Sequence, residues 1–319
     1  MGCLQTTSGR HKIAADPYFD RSCLGNAGEK IMSYRTLICL VFCSCVAVVF
    51  GQRSAHAQDT LQEIHWLKAD VPPIGIGSGP LAGKGLHGGI LDILFGASLD
   101  PDMVKGHANM ARLFALMKTG NYCVPGLIRT AEREEVVYFS EQPSAVLESS
   151  HLVYSPDNRK LREAIDDKVS LAQLLDAGFV VGIGAGISYG EETDRIIQRY
   201  SNSDSVVRHP TPNFLAPMLS MIEMKRVDFS LAPPWALTWY QVNQKNGLGG
   251  DSAPMIVTHP FREASEKINY HVVCTKNDWG KKAVAMIDEV LARDDIRQAL
   301  ARNAQTWLST TKVQEKVVK

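Results

Sequence analysis

Thr130 and Arg133 are the first residues whose types and spacing could bind a charged small molecule. They stand three positions apart, and two acidic residues, Glu132 and Glu134, flank the arginine. A guanidinium can donate two parallel hydrogen bonds to a carboxylate, so Arg133 is a candidate anion-binding residue. The alternative is an exposed arginine that pairs with its acidic neighbours, because most charged side chains lie at the surface. Thr130 either joins the same site or caps the local turn through its hydroxyl.

Ser188 and Tyr189 form a second candidate site, within the glycine-rich stretch 184–190. A helix-like segment follows, and the backbone N–H groups at a helix N-terminus attract anions. The Ser188 hydroxyl could therefore help to hold a ligand. Ser188 also stands three residues before Glu191, which is the spacing of a capping box, so capping the helix is an equally open and compatible role.

The same stretch contains the string G-x-S-x-G, which in some hydrolases presents a nucleophilic serine. Asp228 and then His259 or His271 follow in the order serine, acid, histidine, and His87 with two glycines is similar to an oxyanion-hole segment. However, such a serine requires a strand that runs directly into the first glycine, and two residues intervene here. We therefore expect a protein that binds its ligand without catalysis, and a serine hydrolase that uses Ser188 is the less favoured alternative.

Cofactors and nucleic acids have little support in the sequence. The histidines at 65, 87 and 107 do not have the spacing of zinc ligands. The glycines at 182–186 lack the spacing of a dinucleotide-binding loop. The 34 Lys and Arg residues equal the 34 Asp and Glu residues in number, so no net positive charge is available to neutralise phosphates. We expect no cofactor, no metal and no nucleic-acid partner.

Strands and helices alternate along the chain and would position both candidate sites. The apolar run 179–183 predicts a buried strand, the stretch 215–225 predicts an apolar helix, and 147–154 predicts one further strand. Such alternation is typical of parallel sheets with helices on both faces, so the sequence predicts an α/β fold.

The N-terminal region is typical of a secretory leader. A short cationic segment that begins at Met32 precedes an apolar run at 37–51, and an A-x-A motif ends at Ala57. The run of about 15 apolar residues is shorter than the ~20 that span a membrane. We therefore expect export to the periplasm with cleavage after Ala57, and an uncleaved anchor is the alternative. Residues 1–31 lack leader character, which suggests that translation starts at Met32.

The order of motifs from Arg112 to Pro143 resembles the extracellular solute-binding proteins of the polar-amino-acid type. In that family a helix, G-x-x-D, a strand, T-x-x-R and F-S-x-P recur in this order. The chain departs from the pattern at Cys123, where the family usually has Asp, and by one inserted residue before Pro143. Similar segments extend the resemblance over nearly the whole mature chain. They are 85–92, 170–183 and 226–228.

The resemblance implies a two-lobed type II periplasmic-binding-protein fold, with two sheets flanked by helices and joined by two hinge strands. Residues 58–152 and 268–319 would form lobe 1 and residues 153–267 lobe 2, after a leader at 1–57. In that fold the strands that carry Cys123 and Cys274 are neighbours in one sheet. A disulfide between them and a pair of buried free thiols are both open, because geometry decides between them.

The resemblance also implies a function. The chain would be a periplasmic monomer that captures a small polar, anionic solute and presents it to a membrane transporter permease. Arg133 and Thr130 would bind the solute from lobe 1, and Ser188, Tyr189 and nearby amides would bind it from lobe 2. A sensor of the same fold that signals to a membrane protein is the alternative.

Two residues near the end of the first strand, Trp66 and Lys68, are expected to face the cleft between the two lobes. Trp66 would form a wall against the solute, and a tryptophan in the core is the alternative. Family members that bind α-amino acids carry a hydroxyl and an acid at the positions of Ile128 and Pro233. An α-ammonium group would lack a charge partner here, which is costly in a closed cleft, so we do not expect a plain α-amino acid.

Overall fold

Residues 64–96, 103–210, 214–243 and 256–308 are the part of the protein that the computed structural model describes. The predicted leader, with its cleavage position after Ala57 and the predicted start at Met32, lies outside these residues. Within them, no helix combines the length and the apolar character that are needed to cross a membrane.

The first sheet has five strands. They are β1 (Trp66–Ala69), β2 (Val104–Ala108), β3 (Cys123–Ile128), β4 (Val137–Glu148) and β10 (Lys267–Thr275). Their order across the sheet is β2-β1-β3-β10-β4. Strand β1 is parallel to its neighbours β2 and β3, whereas β10 is antiparallel to both β3 and β4. The last strand in the chain order thus lies inside a sheet built from the first part of the chain.

The second sheet repeats this arrangement. Its strands are β5 (His151–Tyr154), β6 (Val181–Gly184), β7 (Val206–His209), β8 (Phe229–Ala232) and β9 (Val257–His259). Their order is β7-β6-β8-β5-β9, with β6 parallel to β7 and β8, and β5 antiparallel to β8 and β9. Each sheet therefore places three parallel strands beside an antiparallel pair.

Helices connect the strands of both sheets. They are α1 (Leu86–Phe95), α2 (Met110–Thr119), α3 (Ala131–Glu134), α4 (Arg159–Ala164), α5 (Leu171–Asp176), α6 (Glu191–Arg199), α7 (Leu215–Glu223), α8 (Pro234–Asn243), α9 (Asp278–Leu291) and α10 (Asp294–Leu308). Polar side chains accept backbone N–H groups at several helix starts, for example Asn109 at α2 and Asn277 at α9. These caps satisfy N–H donors that have no partner within the helix.

Two connections join the sheets. Ser149 and Ser150 separate β4 from β5, so the run 147–154, which the sequence predicts as one strand, is divided between the two sheets. Residues 260–266 connect β9 to β10, and the Ser149 N–H donates to the Glu266 carbonyl at 3.4 Å. Two helix-flanked sheets joined in this way confirm the predicted fold class. The lobe boundaries, 58–152 with 268–319 and 153–267, stay a prediction.

Side chains on the two faces of the first sheet belong to different apolar clusters. Trp66 packs in a cluster that includes residues of α1, α9 and α10, whereas its neighbour Leu67 packs with residues of α2. The reason is that successive side chains of a strand point to opposite faces. Ile187, in the loop after β6, packs against both the α2 cluster and the core of the second sheet. This side chain therefore links the two halves of the fold.

Candidate functional site

A cavity of about 70 Å³ lies between the two sheets, beside the connection at Ser149; we call it the inner cavity. Ile128 at the end of β3 and Tyr270 on β10 line it from the first sheet. Ile187 and Pro233, which follow β6 and β8, line it from the second sheet. The ends of strands from both sheets therefore converge on one space.

A wider groove of about 750 Å³ opens beside α3 and α6; we call it the outer groove. It brings together Thr130 and Arg133, from the first sheet's side, with Ser188 and Asp194, from the second. Ser188 lines the inner cavity as well. The structure thus gathers three of the residues that the sequence predicts for a site, although Arg133 and Thr130 are absent from the described wall of the inner cavity.

The Arg133 guanidinium bridges the two halves of the fold. Its Nη1 donates to the Ile128 carbonyl at 2.7 Å and its Nη2 donates to the Gly186 carbonyl at 3.0 Å. The side chain is only 8 % exposed, and its guanidinium carbon lies 5.5 Å from the centre of the Phe114 ring. Burial lowers the pKa of Arg133, and the Asp194 carboxylate opposes this shift. These two hydrogen bonds to main-chain carbonyls use two of the five N–H donors of the guanidinium.

Gly186 allows the close approach on which this bridge depends. Its φ of +73° lies in the region that favours glycine, and an added Cβ would stand 3.0 Å from the Cβ of Met110 at the start of α2. The sequence marks the stretch 184–186 as glycine-rich, but the partner that requires the glycine comes from the other sheet.

Ser188 and Tyr189 belong to a network around Asp194. The Ser188 hydroxyl donates to Asp194 Oδ2 at 2.5 Å, and the Tyr189 N–H donates to Asp194 Oδ1 at 2.8 Å. The Tyr189 hydroxyl accepts the N–H of Gly184 at 2.9 Å. Burial raises the pKa of Asp194, and the hydrogen bonds from Ser188 and Tyr189 counteract this increase. The network holds the loop between β6 and α6 in place. Asp194 was not singled out from the sequence, although its place in the first turn of a helix after a serine was a usable signal.

Thr130 has the role of a local cap. Its hydroxyl accepts the Arg133 N–H at 3.2 Å at the start of α3. This contact sets the direction of the first turn and therefore helps to place the arginine side chain. It matches the capping alternative that the sequence left open.

Trp66 does not form a wall of the cleft. Its side chain is 0 % exposed and packs edge-on against Phe95, with ring centroids 5.6 Å apart. This geometry gives no support to the prediction that it contacts a solute, because the strand alternation points this residue towards the face that α1 covers. The tryptophan that does line the inner cavity is Trp235, at the start of α8, whose Nε1 donates to the Glu148 carbonyl at 3.2 Å.

Lys68 is buried away from both the inner cavity and the outer groove. Its ammonium donates to the Gly83 carbonyl at 3.1 Å, and burial lowers its pKa, with Asp92 opposing the shift. The predicted contact between Lys68 and a solute therefore has no support in this geometry. His87 lies close enough for the charge of Lys68 to affect its titration.

The buried His87 is expected to make the protein less stable in mild acid. The ring is fully buried, Nε2 donates to the Gly126 carbonyl at 2.8 Å, and burial lowers its pKa from 6.5 to about 4. As the pH falls from about 6.5 to about 4, the unfolded chain takes up a proton that the folded chain excludes, so we expect the free energy of unfolding to decrease by about 3 kcal/mol from this group. Urea denaturation across this pH range should measure the slope.

Replacement of His87 by Asn keeps a donor and removes the titrating ring, so the His87→Asn variant should have a flatter pH profile. His65→Asn, at an exposed histidine, is the matched control and should leave the profile unchanged. An identical slope in the wild type and in His87→Asn would contradict the prediction.

The residues of the hydrolase alternative bind separate partners. Ser188 donates to Asp194, and Asp228 accepts hydrogen bonds from Asn158 and from the Val180 N–H. His259 bonds the Asp166 carbonyl, and His271 bonds the Ser140 carbonyl. These hydrogen bonds do not link Ser188, Asp228 and either histidine, so this geometry gives no support to nucleophilic catalysis by Ser188. The described residues also contain no group of three or more potential metal-binding side chains.

Cys123 and Cys274 form a disulfide bond. The two residues lie opposite each other on the neighbouring antiparallel strands β3 and β10, and both are fully buried. The bond ties the strand that returns from the second sheet to the middle of the first sheet.

The chain matches no protein-family model and no curated protein. Its fold, in contrast, is similar to many solved structures. One is a solute receptor for L-cysteine of Neisseria gonorrhoeae, with a TM-score of 0.56 and 14 % identity over 82 % of this chain and 95 % of that one. The fold is that of the two-lobed periplasmic binding proteins.

Other structures of this fold come from proteins with different roles. A histidine kinase sensor domain with similarity to periplasmic binding proteins has a TM-score of 0.55 and 14 % identity, over 77 % of this chain and 96 % of that one. An ancestral amino acid-binding protein, a precursor of cyclohexadienyl dehydratase, has a TM-score of 0.54 and 14 % identity, over 78 % of this chain and 100 % of that one. At such identities the similarity establishes the fold of the chain, and its function must be argued from its own residues.

Proposed function

We propose that this protein is a periplasmic solute-binding protein that closes its two lobes around a small molecule in the inner cavity. The observation that carries the proposal is the convergence of both sheets, and of the connection at Ser149, on one cavity. A solute there would contact both halves at once, so its binding would favour the closed state. The receptor and sensor structures of the same fold support a binding role without catalysis.

The loop 184–190 would act as the moving part of the site. It meets the first sheet's side through the Arg133 bond to the Gly186 carbonyl and through the packing of Ile187. The halves also meet through the apolar cluster that contains residues of α1, α7 and α8, so a hinge motion at Ser149–Ser150 would have to separate this packing together with the loop contacts.

The anionic solute that the sequence predicts is not retained in this proposal. That prediction depended on Arg133, and Arg133 lies outside the described wall of the inner cavity. Its guanidinium donates hydrogen bonds to the main-chain carbonyls of Ile128 and Gly186. Ser188, which lines the cavity, donates its hydroxyl to Asp194.

The proposed partner is the permease of a membrane transporter, to which the closed monomer would deliver its solute. Export by the predicted leader would place the protein in the periplasm. The alternative is a sensor of the same fold that acts on a membrane protein; a similar histidine kinase sensor domain supports it. A pull-down of detergent-solubilised membranes with the closed protein would distinguish a permease from a kinase.

Replacement of Arg133 by Met is the test of closure. Loss of a charge-assisted hydrogen bond across the cleft, worth about 1.5–3 kcal/mol, should shift the open–closed ratio towards the open state by about tenfold or more. Small-angle X-ray scattering without solute should then give a larger radius of gyration than for the wild type. In a screen of small metabolites, a bound solute should raise the Tm and return the radius towards the wild-type value.

The matched control is Arg129→Met. Arg129 lies in the same segment, but its guanidinium bonds the Ser140 carbonyl and pairs with Glu134, both on the first sheet's side. The control should scatter as the wild type does. A screen in which no small molecule of any charge class raises the Tm would contradict the proposed function.

A further inference from the structure

We infer that the inner cavity selects a small uncharged solute with a mainly apolar body and one hydrogen-bond acceptor. This inference rests on the proposed function, because it names the class of solute that the same cavity would take. It departs from the polar, anionic solute that the sequence resemblance implies.

The wall of the inner cavity is mainly apolar. Aliphatic side chains from both sheets face it, and aromatic rings close it near the start of α7 and α8. Representative residues are Val71, Ile74, Ile128, Ile187, Phe214 and Trp235. A polar solute group placed against such a wall without a partner loses its hydration and gains nothing in return, so an apolar solute body is favoured.

The described wall has no buried charged side chain that could pair with a charged solute. Its one charged residue, Glu148, has a side chain that is 47 % exposed, and its Oε1 lies 3.6 Å from the Nε2 of His151. Arg133 is not part of this wall. Burial raises the pKa of Tyr270 to about 12, so its phenol is neutral near pH 7. A carboxylate held against this wall would lack an opposite charge, and an ammonium would find only the half-exposed Glu148, whose charge water screens, so a desolvated ion is costly here.

Ser149 is one of the polar residues of the wall, which also includes Ser150, Ser188 and Tyr270. The residue is 3 % exposed, and its Oγ has no hydrogen-bond partner within the described part of the chain. Buried hydroxyl groups are almost always paired. Ser149 also stands in the connection between the sheets, so a solute acceptor that bonds it would act at the point where closure occurs. A single amide, carbonyl or hydroxyl oxygen would meet this requirement.

The volume of the inner cavity sets the size of the solute. The value of about 70 Å³ is several times the ~10–15 Å³ that one water molecule needs, yet it is far below the ~300–1,000 Å³ of sites for drug-sized ligands. A solute with a few non-hydrogen atoms fits the closed arrangement. Such a small solute binds weakly, so its affinity must be measured at millimolar concentrations.

Three probes of similar size separate the charge classes. They are propionamide, propionate and propylammonium, each titrated into the full chain with the Tm and isothermal titration calorimetry as readouts. We expect propionamide to bind at least about tenfold more tightly than either ion, because only the amide satisfies the wall without burying an unpaired charge. The Ser149→Ala variant should weaken propionamide binding by about tenfold, since a hydrogen bond to the probe is lost. Ser203→Ala, at an exposed serine, should leave it unchanged.

A second variant, Pro233→Asp, tests whether a charge placed in the wall changes which probe binds. Pro233 lines the inner cavity directly before α8, where an aspartate is a favoured helix cap, so Pro233→Asp should fold. We expect this variant to gain at least about tenfold in affinity for propylammonium and to lose affinity for propionamide, because a carboxylate now stands in the wall.

The outcomes separate this inference from the proposed function. If propionate binds as tightly as propionamide or more tightly, or if none of the three probes binds, the inference is overturned. A charged metabolite that raises the Tm and closes the lobes would then leave the solute-binding function intact. Failure of every solute class in the wider screen would overturn the function as well.

Discussion

Reduction of the Cys123–Cys274 disulfide is expected to lower the free energy of unfolding by about 2–5 kcal/mol. The two cysteines are separated by 151 residues, so the bond excludes the most extended conformations of a very long segment in the unfolded chain. Chain-entropy arguments place bonds that close such long loops near the upper end of this range. The bond also holds β10 next to β3 after the chain has crossed to the second sheet and back. Its loss should therefore weaken the sheet on which the inner cavity depends.

The measurement is urea denaturation with and without a reductant. The double variant Cys123→Ala with Cys274→Ala is the control, since its midpoint should not respond to the reductant. Of the seven cysteines, the protein cleaved after Ala57 retains Cys123 and Cys274, so a titration that finds two free thiols in this cleaved protein, denatured and unreduced, would contradict the bond itself. An unchanged midpoint on confirmed reduction would contradict the predicted stabilisation.

Replacement of Trp66 by Ala is expected to cost about 3–5 kcal/mol of folding free energy, the range for truncating a large buried aromatic side chain. The side chain has no exposed surface, and it packs against Phe95 in the cluster that joins β1 to α1, α9 and α10. Removal of the indole leaves a cavity that neighbouring side chains can fill only partly. Chemical denaturation at neutral pH is the direct measurement.

The conservative variant Trp66→Phe keeps an aromatic ring in the same place and should be clearly less destabilising than Trp66→Ala. Solute affinity of the folded fraction should be unchanged in both variants, because Trp66 lies outside the described wall of the inner cavity. A variant of normal stability that has lost solute binding would restore Trp66 as a wall of the cleft and contradict this assignment.

Contacts between residues that are close in the chain could be predicted from the sequence. Thr130 caps the turn that contains Arg133, three residues away, and Ser170 caps α5 as its position before an apolar helix suggests. The alternation of strands and helices likewise predicted the α/β class, and the resemblance to solute-binding proteins implied two helix-flanked sheets. These features depend on backbone geometry over a few residues, which residue type and spacing describe directly.

Contacts between distant residues were decided by packing. Arg133 was recognisable as a special residue, yet its bond to the Gly186 carbonyl joins positions that are 53 residues apart. Trp66 could have faced either side of its strand, and the helix that covers one side made it a core residue. The sequence did not mark Ser149 as a site residue, because it lies within the predicted strand 147–154. Only the structure divides that run between two sheets.

The sequence by itself determined the α/β class and the local caps, since these follow from short-range patterns, whereas the bond between Cys123 and Cys274 stayed open until the structure placed the two residues side by side. Only the tertiary structure decided that the Arg133 guanidinium binds two carbonyl groups, that Trp66 is buried and that a small, mainly apolar cavity lies between the sheets. The physical reason is that the environment of a side chain depends on which distant surfaces pack against it, and residue spacing along one strand or helix does not specify those surfaces.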